Sequence, residues 1–283
     1  MEEICDLHIH SAFSDGTMTP AQLIDLAQQL QVSAVALCDH NTVAGLPEFL
    51  DAARDSGVWA VPGIEFSTDY EGTELHMLAL YIKPEDYETV TAKAEKYLID
   101  KEQSNIDLVE NLSRAGYAID YAAIKASTAD GFVNRAIIAA ALMEKGYVDS
   151  IQTAFKTLLK PSHGYYNPPK RPDAYETIRF IKSIGAAAVL AHPFLNLDEA
   201  SLRVFLPAAK AAGLDGMEVL YSKFDAETTA LAGSLAEEFS LLKSGGSDFH
   251  GTNKPDIAVG TGRGDLRIPT DWLKNLKMVA EKC

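Results

Sequence analysis

The sequence predicts an α/β barrel of seven strands that is interrupted by an inserted, all-helical subdomain. Three observations predict this fold class. Seven short β-like runs occur along the 283 residues, most of them separated by amphipathic helical patterns. Strands that alternate with helices favour parallel pairing, and roughly seven strands suffice to close a barrel. Between about Pro84 and Pro172, in contrast, no strand-like run occurs.

Each predicted strand is a short β-like run that turn residues or a helical pattern separate from the next. In chain order the runs are EICDLHIH, SAVALC, WAVPGIEFS, TELHMLALYI, AAAVLAH, GMEVLYS and LLKSGGSD. The third and fourth are joined by STDYEGTE, which predicts a hairpin with its turn at Glu71–Gly72. Thr19 followed by Pro20 predicts the N-cap and first residue of the helix after the first strand.

The strand-free segment carries only helical patterns. A long helix is predicted to end near Gly116, a short one follows Asp120, and NRAIIAAALMEKG closes at Gly146. A connection between barrel strands needs roughly a dozen residues beyond its helix. Because this connection is far longer, we expect residues 85–170 to form an inserted helical cap subdomain between two barrel segments, residues 1–84 and 171–283.

Composition argues against several classes of protein. Apolar residues make up 47% of the chain, but no apolar run approaches the ~20 residues that span a bilayer. The N-terminus lacks a signal-peptide pattern, and three cysteines (Cys5, Cys38 and Cys283) do not indicate a disulfide framework. We therefore expect a cytoplasmic protein without a membrane partner. The net charge of −15 argues against stable DNA binding, but not against an anionic substrate at a metal-rich site.

Nine side chains that bind metals well fall at or beside the C-terminal end of a predicted strand, or in the loop after it. In a parallel barrel these ends meet at one rim, where active sites form. The spacing of the first two histidines also places both on one face of their strand. The nine are His8, His10, Asp15, His40, Glu65, His76, His192, Asp248 and His250.

Packing is the competing interpretation for each residue taken singly. A histidine within an apolar strand, such as His76, is often a satisfied core residue, and His163 is interpreted as structural. Six histidines at one rim are harder to attribute to packing, because burying so many ionisable groups without a cation is costly. We therefore predict a multinuclear metal site. Asp6 is expected to orient an imidazole rather than to ligate, and Cys5 and Cys38 to be core residues.

The motifs DLHIHSAFSDG, CDHN, GIEFS, LHML, LAHP and GGSDFHG strongly resemble, in this order, those of the PHP (polymerase and histidinol phosphatase) family of metal-dependent phosphoesterases. Within that family the resemblance is greatest to a bacterial branch with a helical insert, which includes 3′,5′-nucleoside bisphosphate phosphatases and 5′–3′ exoribonucleases. The resemblance implies a distorted seven-stranded (β/α)7 barrel. It also implies about two to three divalent ions, commonly Mn²⁺, with Fe²⁺ or Zn²⁺ as alternatives.

The resemblance further implies how the ligands are divided among the metals. The first metal would be held by His8, His10, Glu65 and Asp248, the second by Glu65, His76 and His192, and the third by Asp15, His40 and His250. A carboxylate that bridges two cations holds them ~3.5–4 Å apart, close enough to share and acidify one water.

We predict from these motifs that the protein hydrolyses a phosphate monoester by attack of activated water on phosphorus. The resemblance implies that the preferred substrate is a 3′,5′-bisphosphonucleotide, which would lose its 3′-phosphate to give the nucleoside 5′-monophosphate. Alternatives are 5′–3′ cleavage of short oligoribonucleotides, hydrolysis of another phosphomonoester such as histidinol phosphate, and a non-enzymatic metal-binding regulatory module. The catalytic set comprises Glu65, Asp15, His40 and His192, of which the last three are candidates to assist the leaving oxygen. The oligomeric state stays open.

Arg135 is the first candidate for contact with substrate. It lies in the first turn of NRAIIAAALMEKG, where exposed helix amides favour an anion. The alternative is a solvated arginine. Asn134 is predicted either to cap this helix or to contact substrate.

Four further residues are candidates for substrate binding. Lys101 and Asn105 interrupt the apolar stripe of the long helix, so this polar window either is solvated or faces the metals. Tyr70 would stack on a base unless it packs in the protein. Lys170 is a basic candidate at the return from the insert to the barrel.

Overall fold

The computed structural model describes residues 3–128 and 133–281, so Cys283 lies outside the described residues. The chain divides into two compact units. One comprises the segments up to Ala94 and from Arg171 onward, and the other comprises Glu95–Lys170. The first unit contains an eight-stranded sheet. Its strands are β1 (Ile4–Ile9), β2 (Ala34–Leu37), β3 (Trp59–Tyr70), β4 (Thr73–Leu80), β5 (Ala187–Leu190), β6 (Gly216–Tyr221), β7 (Leu242–Gly246) and β8 (Ile268–Pro269).

The strands follow the order β7-β6-β5-β4-β3-β2-β1-β8. Strands β1 to β3 pair in parallel, as do β5 to β7, whereas β4 is antiparallel to both β3 and β5. A parallel bridge joins Ile9 to Phe249 just beyond β7, and the amide of His10 donates to the Phe249 carbonyl at 2.9 Å. The sheet is therefore nearly closed into a barrel.

The described residues form eight strands, not the predicted seven. All seven predicted runs form strands, and the additional strand is β8, which has two residues and pairs antiparallel with β1. So short a strand has no periodic pattern, and its pairing is determined by tertiary structure. The predicted hairpin does connect β3 and β4. Glu71 and Gly72 adopt φ values of 50° and 82°, the left-handed geometry that fits the twist of a hairpin.

The described residues contain ten α-helices. They are α1 (Pro20–Gln29), α2 (Leu46–Ala53), α3 (Tyr87–Arg114), α4 (Tyr121–Ala126), α5 (Arg135–Glu144), α6 (Ile151–Thr157), α7 (Ala174–Ser183), α8 (Glu199–Ala212), α9 (Ala226–Glu238) and α10 (Thr270–Ala280). Helix α1 begins as predicted. The Thr19 hydroxyl accepts the Gln22 amide and the Gln22 side chain accepts the Thr19 amide, which forms a capping box.

The core of the first unit separates apolar from polar side chains along β1. Cys5 and Leu7 are fully buried in a cluster that also contains Leu273 and Leu276 of α10. Cys38 lies in the same cluster, so both thiols are core residues as predicted. Because side chains alternate along a strand, His8 points to the other side of β1 from Cys5 and Leu7.

The second unit has its own apolar core. Buried side chains of α3, α4, α5 and α6 pack together, among them Leu108, Leu112, Ile138 and Ala154. The N-caps of α4, α5 and α6 are Asp120, Asn134 and Ser150, and each side chain accepts a backbone amide of the first turn. Across the described parts of the chain, no helix combines the length and apolar character needed to cross a bilayer.

Candidate metal centre

The nine predicted ligand groups all lie in the first unit, on three strands and in the loops that follow strands. His8, Glu65 and His76 are residues of β1, β3 and β4. Five others follow a strand within a few residues, and Asp15 lies in the loop after β1. Those five are His10 after β1, His40 after β2, His192 after β5, and Asp248 and His250 after β7.

Glu65 lies at the middle of this cluster and is fully buried. One oxygen, Oε1, lies 2.7 Å from His76 Nδ1 and 2.9 Å from His192 Nε2. The other oxygen faces three further imidazoles, with Oε2 3.0 Å from His40 Nδ1, 3.2 Å from His8 Nε2 and 3.3 Å from His10 Nε2. Each carboxylate oxygen therefore has its own set of imidazoles, as a bridging carboxylate requires.

Asp15 is the centre of a second, more exposed group. Its carboxylate lies 3.1 Å from His250 Nε2, 3.8 Å from His40 Nε2 and 3.9 Å from His10 Nδ1. The Asp15 side chain is 27% exposed, whereas Glu65 is fully buried. This side of the cluster is therefore more open to solvent.

Asp248 is held with one oxygen toward the imidazoles. Its Oδ1 lies 3.3 Å from His10 Nε2 and 3.4 Å from His250 Nδ1. Its Oδ2 accepts hydrogen bonds from the Tyr221 hydroxyl at 2.8 Å and from Lys254 Nζ at 2.6 Å. Because both neighbours engage Oδ2, only Oδ1 is presented to the cluster.

The carboxylates and imidazoles shift one another's pKa in opposite directions. Burial alone would raise the pKa of Glu65, but His40 and His76 hold it well below its usual range. Burial alone would lower the pKa of His76, but Glu65 raises it to about 10. Burial and the neighbouring His10 lower the pKa of His250 to about 4. Glu65 is thus held as a carboxylate among several imidazoles, an environment in which divalent cations can replace protons.

The donor atoms of the cluster fit divalent cations. Among the described residues, His10 Nδ1, His40 Nδ1 and Glu65 Oε2 are buried without a hydrogen-bond partner. His8 Nε2 and His10 Nε2 also face each other at 3.0 Å. Within each of three groups, the donor atoms lie within 4.8 Å of one another: His10 with Asp15, His40 and His250; His8 with His10 and Glu65; and His40 with Glu65 and His76. Imidazole and carboxylate donors together suit Mn²⁺, Fe²⁺ or Zn²⁺.

These groups relate closely to the ligand sets expected from the sequence. The group around Asp15 contains the expected third set and adds His10. His192 belongs to none of the three groups found among the described residues, yet its Nε2 lies 2.9 Å from Glu65 Oε1. The structure thus brings all nine residues together, and their division among three metals stays a prediction.

Glu218 is a further residue of the site that the sequence analysis did not identify. This fully buried carboxylate of β6 contacts His8 Nδ1 at 3.0 Å and accepts the backbone amide of His192 at 2.6 Å. The available signal was an acidic residue inside the apolar run GMEVLYS. A buried carboxylate requires hydrogen-bond partners, so this residue could have been named as a candidate for contact with the histidines.

Two aspartates beside the ligands have structural roles. Asp6 was expected to orient an imidazole, but its carboxylate instead accepts backbone amides, those of Ser247 and Gly260 at 2.8 Å among them. Asp6 is fully buried, so its carboxylate oxygens must accept hydrogen bonds. The nearby backbone amides donate these bonds in place of an imidazole. Asp39 accepts the hydroxyls of Ser11 and Ser14, both at 2.6 Å, and so shapes the loop that carries Asp15.

Close backbone packing positions His8. A Cβ atom at Gly246 would overlap the Cβ of His8, so only glycine allows β7 to approach β1 this closely. The sequence GGSD therefore serves two purposes. Its glycine brings the strands together and its aspartate enters the cluster.

The candidates for substrate contact in the second unit are engaged in local interactions. Arg135 is half-buried, with its guanidinium carbon 4.5 Å from the ring centroid of Tyr166. Asn134 caps α5 by accepting the Ile137 amide at 3.0 Å. Asn105 is buried and donates to the Val133 carbonyl at 2.9 Å.

The remaining candidates differ in exposure. Lys101 Nζ lies 6.0 Å from the ring centroid of Tyr97, and Lys170 is exposed. Tyr70, in the first unit, is 8% exposed and packs against Phe205 with the ring centroids 4.9 Å apart. This environment is that of a packing residue.

The chain is similar to a known protein family and to solved structures. The profile of the PHP domain matches residues 6–181. A crystal structure from Bifidobacterium adolescentis, assigned as a metal-dependent phosphoesterase, superimposes with a TM-score of 0.84 and 29% identity, covering 98% of this chain and 96% of that one.

Three relatives are similar to this chain over most of its length. A 5′–3′ exoribonuclease of Haemophilus influenzae is 34% identical over 247 residues, which is 87% of this chain and 89% of the relative. Phosphoribosyl 1,2-cyclic phosphate 1,2-diphosphodiesterase of Eggerthella lenta is 31% identical over 250 residues, 87% of this chain and 94% of the relative. The 3′,5′-nucleoside bisphosphate phosphatase of Chromobacterium violaceum is 27% identical over 257 residues, 90% of each chain.

Proposed function

Because this chain belongs to the PHP domain family of metal-dependent phosphoesterases, we propose that it removes the 3′-phosphate from 3′,5′-bisphosphonucleotides. The product would be the nucleoside 5′-monophosphate. The observation that carries the proposal is the convergence of nine imidazole and carboxylate groups around Glu65. The choice of substrate is supported by similarity along 90% of the chain to a 3′,5′-nucleoside bisphosphate phosphatase.

We propose the following ligands for about two to three divalent ions. The first would be held by His8, His10, Glu65 and Asp248, the second by Glu65, His76 and His192, and the third by Asp15, His40 and His250. Such ions, commonly Mn²⁺, supply Lewis-acid activation of water and neutralise the charge that develops on phosphoryl oxygens. The fully buried carboxylate of Glu65 would join the first two ligand sets, because it belongs to both.

The residues of the site would also act on the leaving group. Departure of the nucleoside 3′-oxygen requires a proton or equivalent stabilisation. The candidates are His192, as a proton donor, and the group around Asp15 and His40, which would hold the third ion beside the leaving oxygen. Asp15 and His40 lie on the more exposed side of the cluster, with side chains 27% and 18% exposed. That exposure supports access of a substrate to these two.

For recognition, we propose that Arg135 binds the 5′-phosphate of the substrate. Its guanidinium is held over the Tyr166 ring in the first turn of α5, where backbone amides also favour an anion. Asn134 and Asn105 would maintain the backbone around it through their bonds to Ile137 and Val133. Lys101 and Lys170 are further cationic candidates from the same insert.

A second candidate function is 5′–3′ exoribonuclease activity, which the similarity to the enzyme of Haemophilus influenzae favours. The two functions make different demands on substrate length. A site for one nucleotide excludes long chains, whereas an exoribonuclease retains activity as the RNA lengthens. A non-enzymatic regulatory module is less well supported, because all nine ligand groups are present and close together.

The decisive experiment measures phosphate and nucleotide release from a panel of substrates in the presence of Mn²⁺. The panel contains 3′,5′-bisphosphoadenosine, its two monophosphates, histidinol phosphate, a ribose 1,2-cyclic phosphate and 5′-phosphorylated oligoribonucleotides of increasing length. We expect the highest kcat/KM for the bisphosphate, with 5′-AMP as product. A kcat/KM that rises with RNA length would favour the exoribonuclease instead.

A further inference from the structure

We propose that Glu218 is a positioning residue that fixes His8 and His192 together and so links two of the proposed metal subsites. The inference rests on the proposed function only in taking these histidines as ligands. Glu218 is on β6, and neither its carboxylate nor the His8 imidazole is accessible to solvent. Its two oxygens have different partners, one an imidazole and the other a backbone amide.

The first contact determines which nitrogen of His8 can bind a cation. Glu218 Oε1 lies 3.0 Å from His8 Nδ1. An ionised carboxylate only accepts hydrogen bonds, so Nδ1 must carry the hydrogen in this contact. The lone pair is then on Nε2, the atom that lies 3.2 Å from Glu65 Oε2 and 3.0 Å from His10 Nε2. Glu218 thereby selects the tautomer whose free nitrogen faces the cluster.

The second contact holds a backbone that a histidine seldom adopts. His192 has φ 27° and ψ 57°, in the left-handed region, and its amide donates to Glu218 Oε2 at 2.6 Å. Such a conformation persists only where surrounding contacts determine it. It places His192 Nε2 2.9 Å from Glu65 Oε1, so the carboxylate of Glu218 holds this ligand through its backbone.

The position of Glu218 in the sheet brings its carboxylate close to both His8 and His192. Glu218 pairs with Ser244 of β7, and the register shifts between Glu218 and Leu220. An irregularity of this kind redirects side chains at the edge of a site. One residue can therefore reach His8 on β1 and His192 after β5.

Glu218→Gln is the informative substitution because it keeps the shape and removes one acceptor. The backbone N–H of His192 cannot change its role, so the amide oxygen should stay opposite it. The NH₂ group would then face His8 Nδ1 and favour the opposite tautomer, with a hydrogen on Nε2. We expect Mn²⁺ affinity to fall about 10- to 100-fold, the loss typical of removing a partner that orients a ligand.

Asp215→Asn is the matched control. Asp215 precedes the same strand and accepts the Ala188 amide and Lys182 Nζ at 2.8 and 2.7 Å, but it contacts no imidazole. We expect its Mn²⁺ affinity to equal that of the wild type. Affinity is measured by equilibrium dialysis, without any phosphate ester, so failure of the proposed substrate does not affect the result.

The tautomer itself is read by ¹⁵N NMR of the imidazoles in the wild-type protein loaded with diamagnetic Zn²⁺. We expect His8 to carry a hydrogen on Nδ1 and this signal to be lost or shifted in Glu218→Gln. A wild-type His8 protonated on Nε2 would overturn the inference, and this spectrum decides even where the variant does not fold. Unchanged Mn²⁺ affinity in Glu218→Gln, or equal losses in Glu218→Gln and Asp215→Asn, would overturn it as well.

Discussion

His192 Nε2 lies 2.9 Å from Glu65 Oε1, although the whole helical insert separates these two residues along the chain. The same oxygen lies 2.7 Å from His76 Nδ1, which precedes the insert. Glu65 thus joins imidazoles from both sequence segments of the first unit. Its replacement should disturb more of the site than replacement of any single imidazole.

Replacement of Glu65 by Gln should therefore abolish most of the metal content. The amide is neutral and offers one acceptor where the carboxylate offers two to its five imidazoles. We expect kcat/KM to fall by more than the ~10- to 100-fold that follows loss of a supporting residue. Elemental analysis and phosphate release are compared with Glu71→Gln, an exposed change in the hairpin turn. Full metal content and activity in Glu65→Gln would contradict the bridging role.

Removal of the metals should destabilise the protein as well as inactivate it. A ligand that binds only the folded state at ~100 times its Kd contributes about 2.7 kcal/mol to the free energy of unfolding. We expect about two to three divalent ions per active chain, a lower thermal midpoint after chelation, and recovery of both properties with Mn²⁺. At most one ion per chain in fully active protein would rule out a multinuclear centre.

Truncation of Arg135 should impair substrates with a second phosphate more than those without it. A charge-assisted contact of ~1.5–3 kcal/mol corresponds to roughly 10- to 150-fold in kcat/KM. The Arg135→Ala variant is compared with Arg135→Lys, which keeps the charge, and with Arg114→Ala on the exposed end of α3. Because Arg135 lies over Tyr166, circular dichroism checks that α5 still folds. Equal losses on mono- and bisphosphates would assign Arg135 to structure.

Hydrolysis in oxygen-18 water should place the label in the released phosphate and leave the alcohol unlabelled. The reason is that activated water in a site of this kind attacks phosphorus rather than carbon. Mass spectrometry of both products decides the outcome, with unlabelled water as the reference. Label in the nucleoside would contradict attack at phosphorus. Release of the 5′-phosphate from 3′,5′-bisphosphoadenosine would keep that chemistry but reverse the proposed orientation of the substrate.

Introduction of a methyl group at Gly246 should destabilise the barrel. The added Cβ meets His8 on the adjacent strand, and overpacking of this kind costs roughly 1–3 kcal/mol. Gly233→Ala in α9 is the control, because the added Cβ would lie 3.6 Å from Val219, an ordinary contact distance. Alanine within a helix is also more stable than glycine by about 0.5–1 kcal/mol. Urea unfolding measures both. A Gly246→Ala variant as stable as the wild type would show that β7 moves away without loss.

The seven principal strands could be predicted because short β-like runs alternate with amphipathic helical patterns and turn residues. β8 could not, since Ile268 and Pro269 form a strand only through their pairing with Cys5 and Ile4. Residues near the ligand set were harder to assign. Glu218 resembles any acidic residue within a strand until His8 and His192 are placed beside it.

Polar side chains outside the cluster illustrate a second limit. Asp6 shares the phase of His8 and His10, which correctly indicates its face of β1 but not its partners. Those partners include Ser247 and Gly260, which lie near the other end of the sequence. Long-range amides of this kind have no local signature, so the spacing of residues in one strand cannot reveal them.

Closure of the sheet between β1 and the end of β7 has a consequence for protein synthesis. His10 and Asp248 lie 3.3 Å apart across this junction, yet strands β2 to β7 are synthesised between them. At ~5–20 residues per second, the ribosome delivers the second of them on the order of 10–50 s after the first. The nascent chain therefore has an incomplete set of ligands. The complete set of ligand groups can form only after Asp248 and His250 have been synthesised.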